Sequence, residues 1–315
     1  MTHRVVFLDR ESLPVRFTRP QCAVEYTEYA ETQPSTLLQR LATATIAITN
    51  KVPLTGAVLA QVPQLRLIAL AATGYDCVDT AFCKENAIDV VNIRDYATHT
   101  VPEHVFSLIL ALRRNLLGYR TAMRDGKWQR ARQFCFFDGD IHSLHGSVLG
   151  LIGFGSIGNA VARIGSAFGM RVIFFDPTHP ADERSRSLDE LLKTADVISL
   201  HCPLTHSTRN LISEPQLRLM KKSALVINTA RGGLVDEIAL VKALKEGWIG
   251  GAGFDVLTTE PPREGNELLN LQLSNFIITP HVAWASVEAM EGLADQLTLN
   301  IDAWACGTPR NLVPL

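Results

Sequence analysis

Three polar side chains stand just past apolar segments: Arg231 after LVINT (225–229), Glu260 after GFDVL (253–257) and His281 after FIITP (276–280). Their types suit one task. A guanidinium offers a planar fork of donors to a carboxylate and a neighbouring carbonyl oxygen. An imidazole gives or takes a proton near neutral pH. A carboxylate beside it can bond the second ring nitrogen, fix the tautomer and favour the protonated ring. Such a set could orient a 2-keto acid and protonate its oxygen as hydride arrives, or take the hydroxyl proton in the reverse direction. Taken singly, a histidine after a strand more often packs or caps than catalyses, and an arginine before Gly232 and Gly233 can simply pair with an acid. Placement at three segment ends that share one side of a parallel sheet is what points to chemistry.

A hydride carrier has its own signature here. SVLGLI (147–152) runs into Gly153, Gly155 and Gly158 in the pattern G-x-G-x-x-G, and a helical stretch follows over 159–169. The next apolar run, RVIFF, ends in Asp176. Gly153 permits the tight turn, Gly155 lets backbone approach a pyrophosphate, and Gly158 lets helix and strand close up. The helix start presents free N–H groups and the positive dipole end to phosphates. Asp176 can accept from both ribose hydroxyls and repels a 2′-phosphate, which favours NAD over NADP. Polar groups after the other strands, Cys202 to Thr205 and Ala230 to Gly233 with Asp255, should converge on the same crevice.

The elements that must position these residues are short apolar strands alternating with helices, the pattern of α/β domains with doubly wound, Rossmann-like parallel sheets. A first series holds strands at 5–9, 45–49, 65–70 and 89–93, with helices such as 35–44 and 80–86. A second holds 148–152, 172–176, 197–201, 225–229, 253–257 and 276–280. Between them, Thr100 and Glu103 predict a capping box around Val101 and Pro102. The helix then runs through VFSLILALRRNL, apolar enough in its first half to be buried between domains or subunits. Residues 126–144 are aromatic and poorly periodic, either an arm for a partner chain or a loop on their own domain. A last helix over 286–306 should return to the first series. The substrate domain is then discontinuous, 1–98 plus 287–315, around an NAD-binding Rossmann domain over 99–286.

At 315 residues, two domains fit, and 47% hydrophobic content supplies their cores. Lys plus Arg (30) nearly balance Asp plus Glu (32), leaving no electrostatic footprint for nucleic acid or anionic membrane. Six scattered cysteines form no CxxC pair, so neither a disulfide framework nor a metal site is expected. The N-terminus lacks a signal-peptide pattern and no apolar run is long enough to span a bilayer. A cytoplasmic protein is the expectation.

Over nearly its full length the chain resembles the D-isomer-specific 2-hydroxyacid dehydrogenase family. The matching stretches are AATGYDCVD (71–79), TVPEHVFSLILALRR (100–114), LHGSVLGLIGFGSIG (144–158), HCPLTHSTRNLIS (201–213), LVINTARGGLVDE (225–237), GAGFDVLTTEPP (251–262) and TPHVAWAS (279–286). AATG, QFC (133–135) and HVAWAS look most like the glycerate dehydrogenase / hydroxypyruvate reductase branch. The resemblance implies an NAD-dependent oxidoreductase for a small D-2-hydroxyacid, with hydroxypyruvate/D-glycerate favoured over glyoxylate/glycolate and the reaction in a cleft that closes on the substrate. It makes Arg231, Glu260 and His281 catalytic, with Arg231 and His281 also touching cofactor and substrate. Ser156 and Ile157 would lie on the pyrophosphate, Cys202, Pro203 and Thr205 beside the adenine, and Thr229, Ala230 and Asp255 at the nicotinamide half. The backbone of Thr73 and Gly74 would hold the substrate carboxylate, where a glycine keeps a side chain out of the way. Trp284 would line the cofactor or pocket, or else pack between domains. A homodimer joined through the nucleotide domain is implied too. Pro102 and the FFDGD stretch after Cys135 depart from the family pattern, and an effector domain of the kind that long phosphoglycerate dehydrogenases carry is not expected. Corepressors of the same fold, which sense NADH with little turnover, keep the Arg, Glu, His set and remain the rival reading. Formate and phosphite dehydrogenases share the fold but match these stretches less closely.

Overall fold

A computed structural model describes residues 3–314. The chain divides into two compact units, one of Met1–Ala97 with Ala285–Leu315 and one of Thr98–Trp284. Among the described residues no helix is long and apolar enough to cross a membrane.

The first unit starts with β1 (His3–Phe7), β2 (Ala23–Glu28), α1 (Pro34–Leu41), β3 (Ile46–Thr49), α2 (Gly56–Leu59), β4 (Leu67–Leu70), α3 (Thr80–Glu85) and β5 (Asp89–Val91). Its sheet is parallel in the order β2-β1-β3-β4-β5. Strand β2 escapes the sequence reading. It is an edge strand, AVEYTE, with Glu25, Thr27 and Glu28 exposed, so it lacks the continuous apolar run that marks the inner strands. In such a sheet, the crevice where strand order reverses is the usual ligand site. Here that place, past β1 and β3, is filled by Asp9. Its carboxylate accepts from the Asn50 N–H (3.0 Å), the Lys51 N–H (2.8 Å) and the Thr49 hydroxyl (3.3 Å). A side chain of the protein itself thus takes the N–H groups that a phosphate would need.

The second unit holds α4 (Thr100–Arg113), α5 (Leu116–Arg124), β6 (Val148–Ile152), α6 (Ser156–Ala167), β7 (Arg171–Phe175), α7 (Leu188–Thr194), β8 (Val197–Leu200), α8 (Glu214–Leu219), β9 (Leu225–Asn228), α9 (Glu237–Glu246), β10 (Gly251–Phe254) and β11 (Phe276–Ile278). The final helix, α10 (Val287–Ala305), belongs to the first unit. Ser286 caps it by accepting from the Ala289 N–H (3.2 Å), and its Asn300 donates to the Asn92 carbonyl (2.9 Å). The six strands of the second unit are parallel in the order β11-β10-β9-β8-β6-β7. Strand order reverses between β6 and β8, and there the glycine turn sits.

Three sequence expectations change. Thr100 and Glu103 form no capping box: Thr100 lies inside α4, and its hydroxyl donates instead to the Ala283 carbonyl (3.1 Å). The helix does not run on through Leu116, because Asn115 turns left-handed at φ 48° and starts α5. Nor does α4 wait for another domain or subunit to bury it. Val105, Phe106, Leu108 and Ile109 are buried in the core of their own unit, and a Cβ on Gly253 would stand 3.0 Å from the Leu108 Cβ. A missing side chain on β10 lets the helix settle onto the sheet.

Candidate active site

The Gly153 turn is built for backbone approach. Gly153 has φ 94°, and a Cβ there would stand 2.7 Å from the His201 carbonyl carbon. A Cβ on Gly158 would stand 2.4 Å from the Gly153 carbonyl oxygen. Gly155 differs: nothing lies within 4 Å of its added Cβ. It is also the N-cap of α6 and brings no side chain to the first-turn N–H groups, where exposed Ser156 and half-buried Ile157 follow. The open space and uncapped N–H groups suit a pyrophosphate.

Asp176 is fixed rather than loose. One carboxylate oxygen accepts from the Phe154 N–H (2.7 Å), the other from the Thr178 N–H (2.9 Å) and hydroxyl (2.7 Å). Burial works against its ionisation, but these donors outweigh it and hold the carboxyl below the ordinary range. Cys202, Pro203 and Thr205 follow β8 in a loop where the Thr208 hydroxyl donates to the Pro203 carbonyl and accepts from the Thr205 N–H (2.7 Å each). Burial pushes the Cys202 thiol up to about 11, so it stays protonated at neutral pH.

His201, at the end of β8, has its Nε2 2.9 Å from the Ser199 hydroxyl, and burial pushes its pKa down from 6.5 to about 4. Between those values the unfolded chain binds the proton that the folded chain refuses. This contribution is absent as a penalty above pH 6.5 and destabilises progressively as pH falls towards 4. At about 1.4 kcal/mol per pH unit, urea unfolding should lose about 2 kcal/mol more between pH 7 and pH 5 in the wild type than in His201→Gln. Parallel pH dependences for the two proteins would remove His201 as the source.

Asn228, the last residue of β9, is 1% exposed and brackets the next turn: it donates to the Arg231 carbonyl (2.9 Å) and accepts from the Ala230 N–H (3.1 Å). The Arg231 guanidinium donates to the Ala230 carbonyl (2.7 Å). The hydroxyl of buried Thr229 has no partner among the described residues, an unmet polar atom just past β9. At Gly232 a Cβ would fall 1.9 Å from the Leu257 carbonyl oxygen, so the Arg231 turn is pressed onto the backbone that leads to Glu260. Glu260 in turn has both oxygens engaged. One accepts from the Leu257 N–H (2.8 Å) and the other lies 2.6 Å from His281 Nδ1.

His281 takes φ 56°, a left-handed backbone that costs a non-glycine residue about 1–2 kcal/mol. Surrounding bonds enforce it. Its N–H donates to the Asp255 carbonyl (2.8 Å), and its own carbonyl accepts from the Trp284 indole (3.0 Å). Asp255 is 1% exposed and its carboxylate accepts from the Val282 (3.0 Å) and Ala283 (2.8 Å) N–H groups and from the Thr279 hydroxyl. The sequence places Asp255 inside a strand, but β10 ends at Phe254, because Asp255 turns its side chain to the 279–283 segment. Asn228 and Asp255 therefore have bracketing tasks that residue type alone does not announce. Thr73 and Gly74 lie in the other unit, past β4. There the Thr73 hydroxyl donates to the Ile93 carbonyl (2.7 Å), and the Thr73 carbonyl accepts from Asn92 (2.7 Å).

Within the second unit, then, a fixed carboxylate–imidazole pair and a guanidinium on an adjoining turn stand past the carboxyl ends of β9, β10 and β11. The family described as D-isomer specific 2-hydroxyacid dehydrogenase, NAD binding domain, matches residues 106–283. Glycerate dehydrogenase of Methylorubrum extorquens is 52% identical over 99% of both chains. Hydroxypyruvate reductase of Blautia hydrogenotrophica is 36% identical over 93% of this chain and 92% of its own. Among solved structures, D-lactate dehydrogenase from Aquifex aeolicus, complexed with NAD and lactic acid, superposes with a TM-score of 0.84 at 31% identity, covering 97% of this chain and 96% of that one.

Proposed function

The chain belongs to the D-isomer specific 2-hydroxyacid dehydrogenase family, and from that premise we propose that it interconverts hydroxypyruvate and D-glycerate, with glyoxylate and glycolate as a second pair. It is an NAD-dependent oxidoreductase acting on D-2-hydroxyacids. The observation that carries the residue assignment is the 2.6 Å contact of His281 Nδ1 with a Glu260 carboxylate that the Leu257 N–H already holds. With Nδ1 so engaged, Nε2 is the nitrogen left to exchange a proton with the substrate oxygen. The bound cofactor supplies the nicotinamide that carries hydride. Arg231 orients the substrate carboxylate and carbonyl oxygen. Ser156 and Ile157 would hold the pyrophosphate, Cys202, Pro203 and Thr205 the adenine side, and Thr229, Ala230 and Asp255 the nicotinamide half of a bound NAD. In this assignment Thr98–Trp284 is the NAD-binding domain and the discontinuous unit binds substrate.

The test is NADH oxidation at 340 nm with hydroxypyruvate, glyoxylate, pyruvate, phenylpyruvate and 2-ketoisocaproate, each repeated with NADPH. Hydroxypyruvate should give the highest kcat/KM. A bulky keto acid in first place would overturn the substrate and keep the mechanism. NADH binding without turnover on any of them would move the protein to the sensing class.

Cofactor preference rests on Asp176. His179 Nδ1 lies 3.8 Å from its carboxylate, and Arg184 stands over the adjoining Phe154 and Phe174 rings. Removal of the acid leaves His179 beside that place, while Arg184 stays paired with Asp182 (2.8 Å). Asp176→Ala should weaken NADH and raise the NADPH-to-NADH ratio of kcat/KM by roughly tenfold or more, the scale of one like-charge contact in a partly solvated site. Loss of the acceptor for the Phe154 N–H affects both cofactors alike, so the ratio isolates the repulsion. An unchanged ratio would refute the role.

We further read the protein as a cytoplasmic homodimer. Its six cysteines are all unpaired, which suits a reducing compartment. Phe134 and Phe137 are 86% and 87% exposed in a segment with no regular element after α5, and Trp128 and Ile141 are exposed beside them in sequence. Light scattering should return twice the chain mass, whereas a monomer would remove the arm reading of 126–144.

A further inference from the structure

Helix α4 carries two half-buried polar residues one turn apart, Thr100 and His104. Both reach the segment that holds His281. The Thr100 hydroxyl donates to the Ala283 carbonyl (3.1 Å), and His104 Nε2 lies 3.0 Å from the Thr279 hydroxyl oxygen. Thus α4 grips the segment on both sides of the left-handed His281.

The protons along this chain can be assigned. An ionised Asp255 only accepts, so the Thr279 hydroxyl gives it the one hydrogen it has. The Thr279 oxygen is then an acceptor towards α4, and His104 must present Nε2–H. His104 Nε2 is also 3.7 Å from Asp255 Oδ1. The relay reads His104 Nε2–H to Thr279 Oγ1–H to Asp255, whose other acceptor positions take the Val282 and Ala283 N–H groups.

We propose that His104 is a positioning residue for His281, acting through Thr279 and Asp255 to hold the 279–283 segment so that the His281 ring meets Glu260. The proposal rests on His281 being the proton donor. It needs the donor at Nε2, not the titration of His104. A glutamine amide can place an N–H near that position, while leucine fills the space without a donor.

The experiment compares His104→Gln, His104→Leu and Thr279→Val, with His281→Ala alongside. NADH and hydroxypyruvate kinetics are scaled to active sites counted by NADH titration. His104→Leu should lose roughly tenfold to a hundredfold in kcat, the effect of a catalytic group displaced by a fraction of an ångström to an ångström, with KM for NADH nearly unchanged. Thr279→Val should do the same, His104→Gln should recover most of the loss, and the double variant should be little worse than either single one, since both break one chain. Wild-type kcat per active site in His104→Leu would overturn the proposal, as would equal losses in the leucine and glutamine variants. Full activity in His281→Ala would instead overturn the reading beneath it, so the two failures are told apart.

Discussion

His281→Ala should lower kcat for hydroxypyruvate reduction by roughly a thousandfold, within the 10²–10⁴ range of general acid–base catalysis, and leave NADH affinity within about threefold of wild type. The expected split follows from where the groups stand. His281 meets Glu260 on one nitrogen, and Glu260 is anchored by the Leu257 N–H, so the pair is fixed before substrate arrives. The glycine turn, Asp176 and the α6 N-terminus are built on β6, α6 and β7, and Asp176 bonds Phe154 and Thr178 rather than anything near His281. Truncation of the ring would remove the proposed proton donor and leave the proposed phosphate and ribose sites in place. Alanine also accepts a left-handed φ no more readily than histidine does, so the Asp255 bonds must still impose it. NADH titration with single-turnover hydride transfer separates the two effects. If kcat stayed above about a tenth of wild type, an acid other than His281 would have to supply the proton.

Much of this site was legible in the chain because its chemistry constrains residue type. Only glycine serves at Gly153, with φ 94° and a neighbouring carbonyl carbon in the way, and only a small first residue leaves the α6 N-terminus open. Glu260 and His281 stand out because a carboxylate and an imidazole past strand ends have few structural uses together. What escaped depends on distances that sequence spacing does not encode. Thr100 reads as the first member of a capping box, and only the approach of Ala283 to within 3.1 Å gives its hydroxyl another acceptor. Asn228 and Asp255 fall inside the apolar runs LVINT and GFDVL, yet each brackets a turn through two or more backbone N–H or carbonyl groups. Strand β2 is edge-exposed, so its alternation mixes glutamates with an otherwise ordinary strand. The inner strands, buried on both faces, announce themselves as apolar runs even where their ends move by one or two residues.

Arg231 should prove nearly as sensitive, and in a way that distinguishes geometry from charge. Arg231→Ala should cost roughly 10³-fold in kcat/KM, since it removes both the charge-assisted bonds to a carboxylate and a donor to the carbonyl oxygen on which negative charge develops. Arg231→Lys should recover little of that. An ammonium is a single point on a flexible stem, and it cannot meet a carboxylate and a carbonyl with a planar fork. Nor can the backbone shift to compensate. Asn228 holds the Arg231 carbonyl and the Ala230 N–H, and Gly232 lies so close to the Leu257 carbonyl that no side chain fits between. The turn that presents residue 231 is therefore locked to the same backbone that anchors Glu260. A lysine within about threefold of wild type would mean that positive charge alone suffices and the fork is irrelevant. An alanine variant with near-normal kinetics would place carboxylate recognition elsewhere. The informative pattern is a loss that falls on kcat and KM together in alanine, with added guanidinium ion restoring part of kcat in that variant and none in Arg231→Lys, where the stem fills the space.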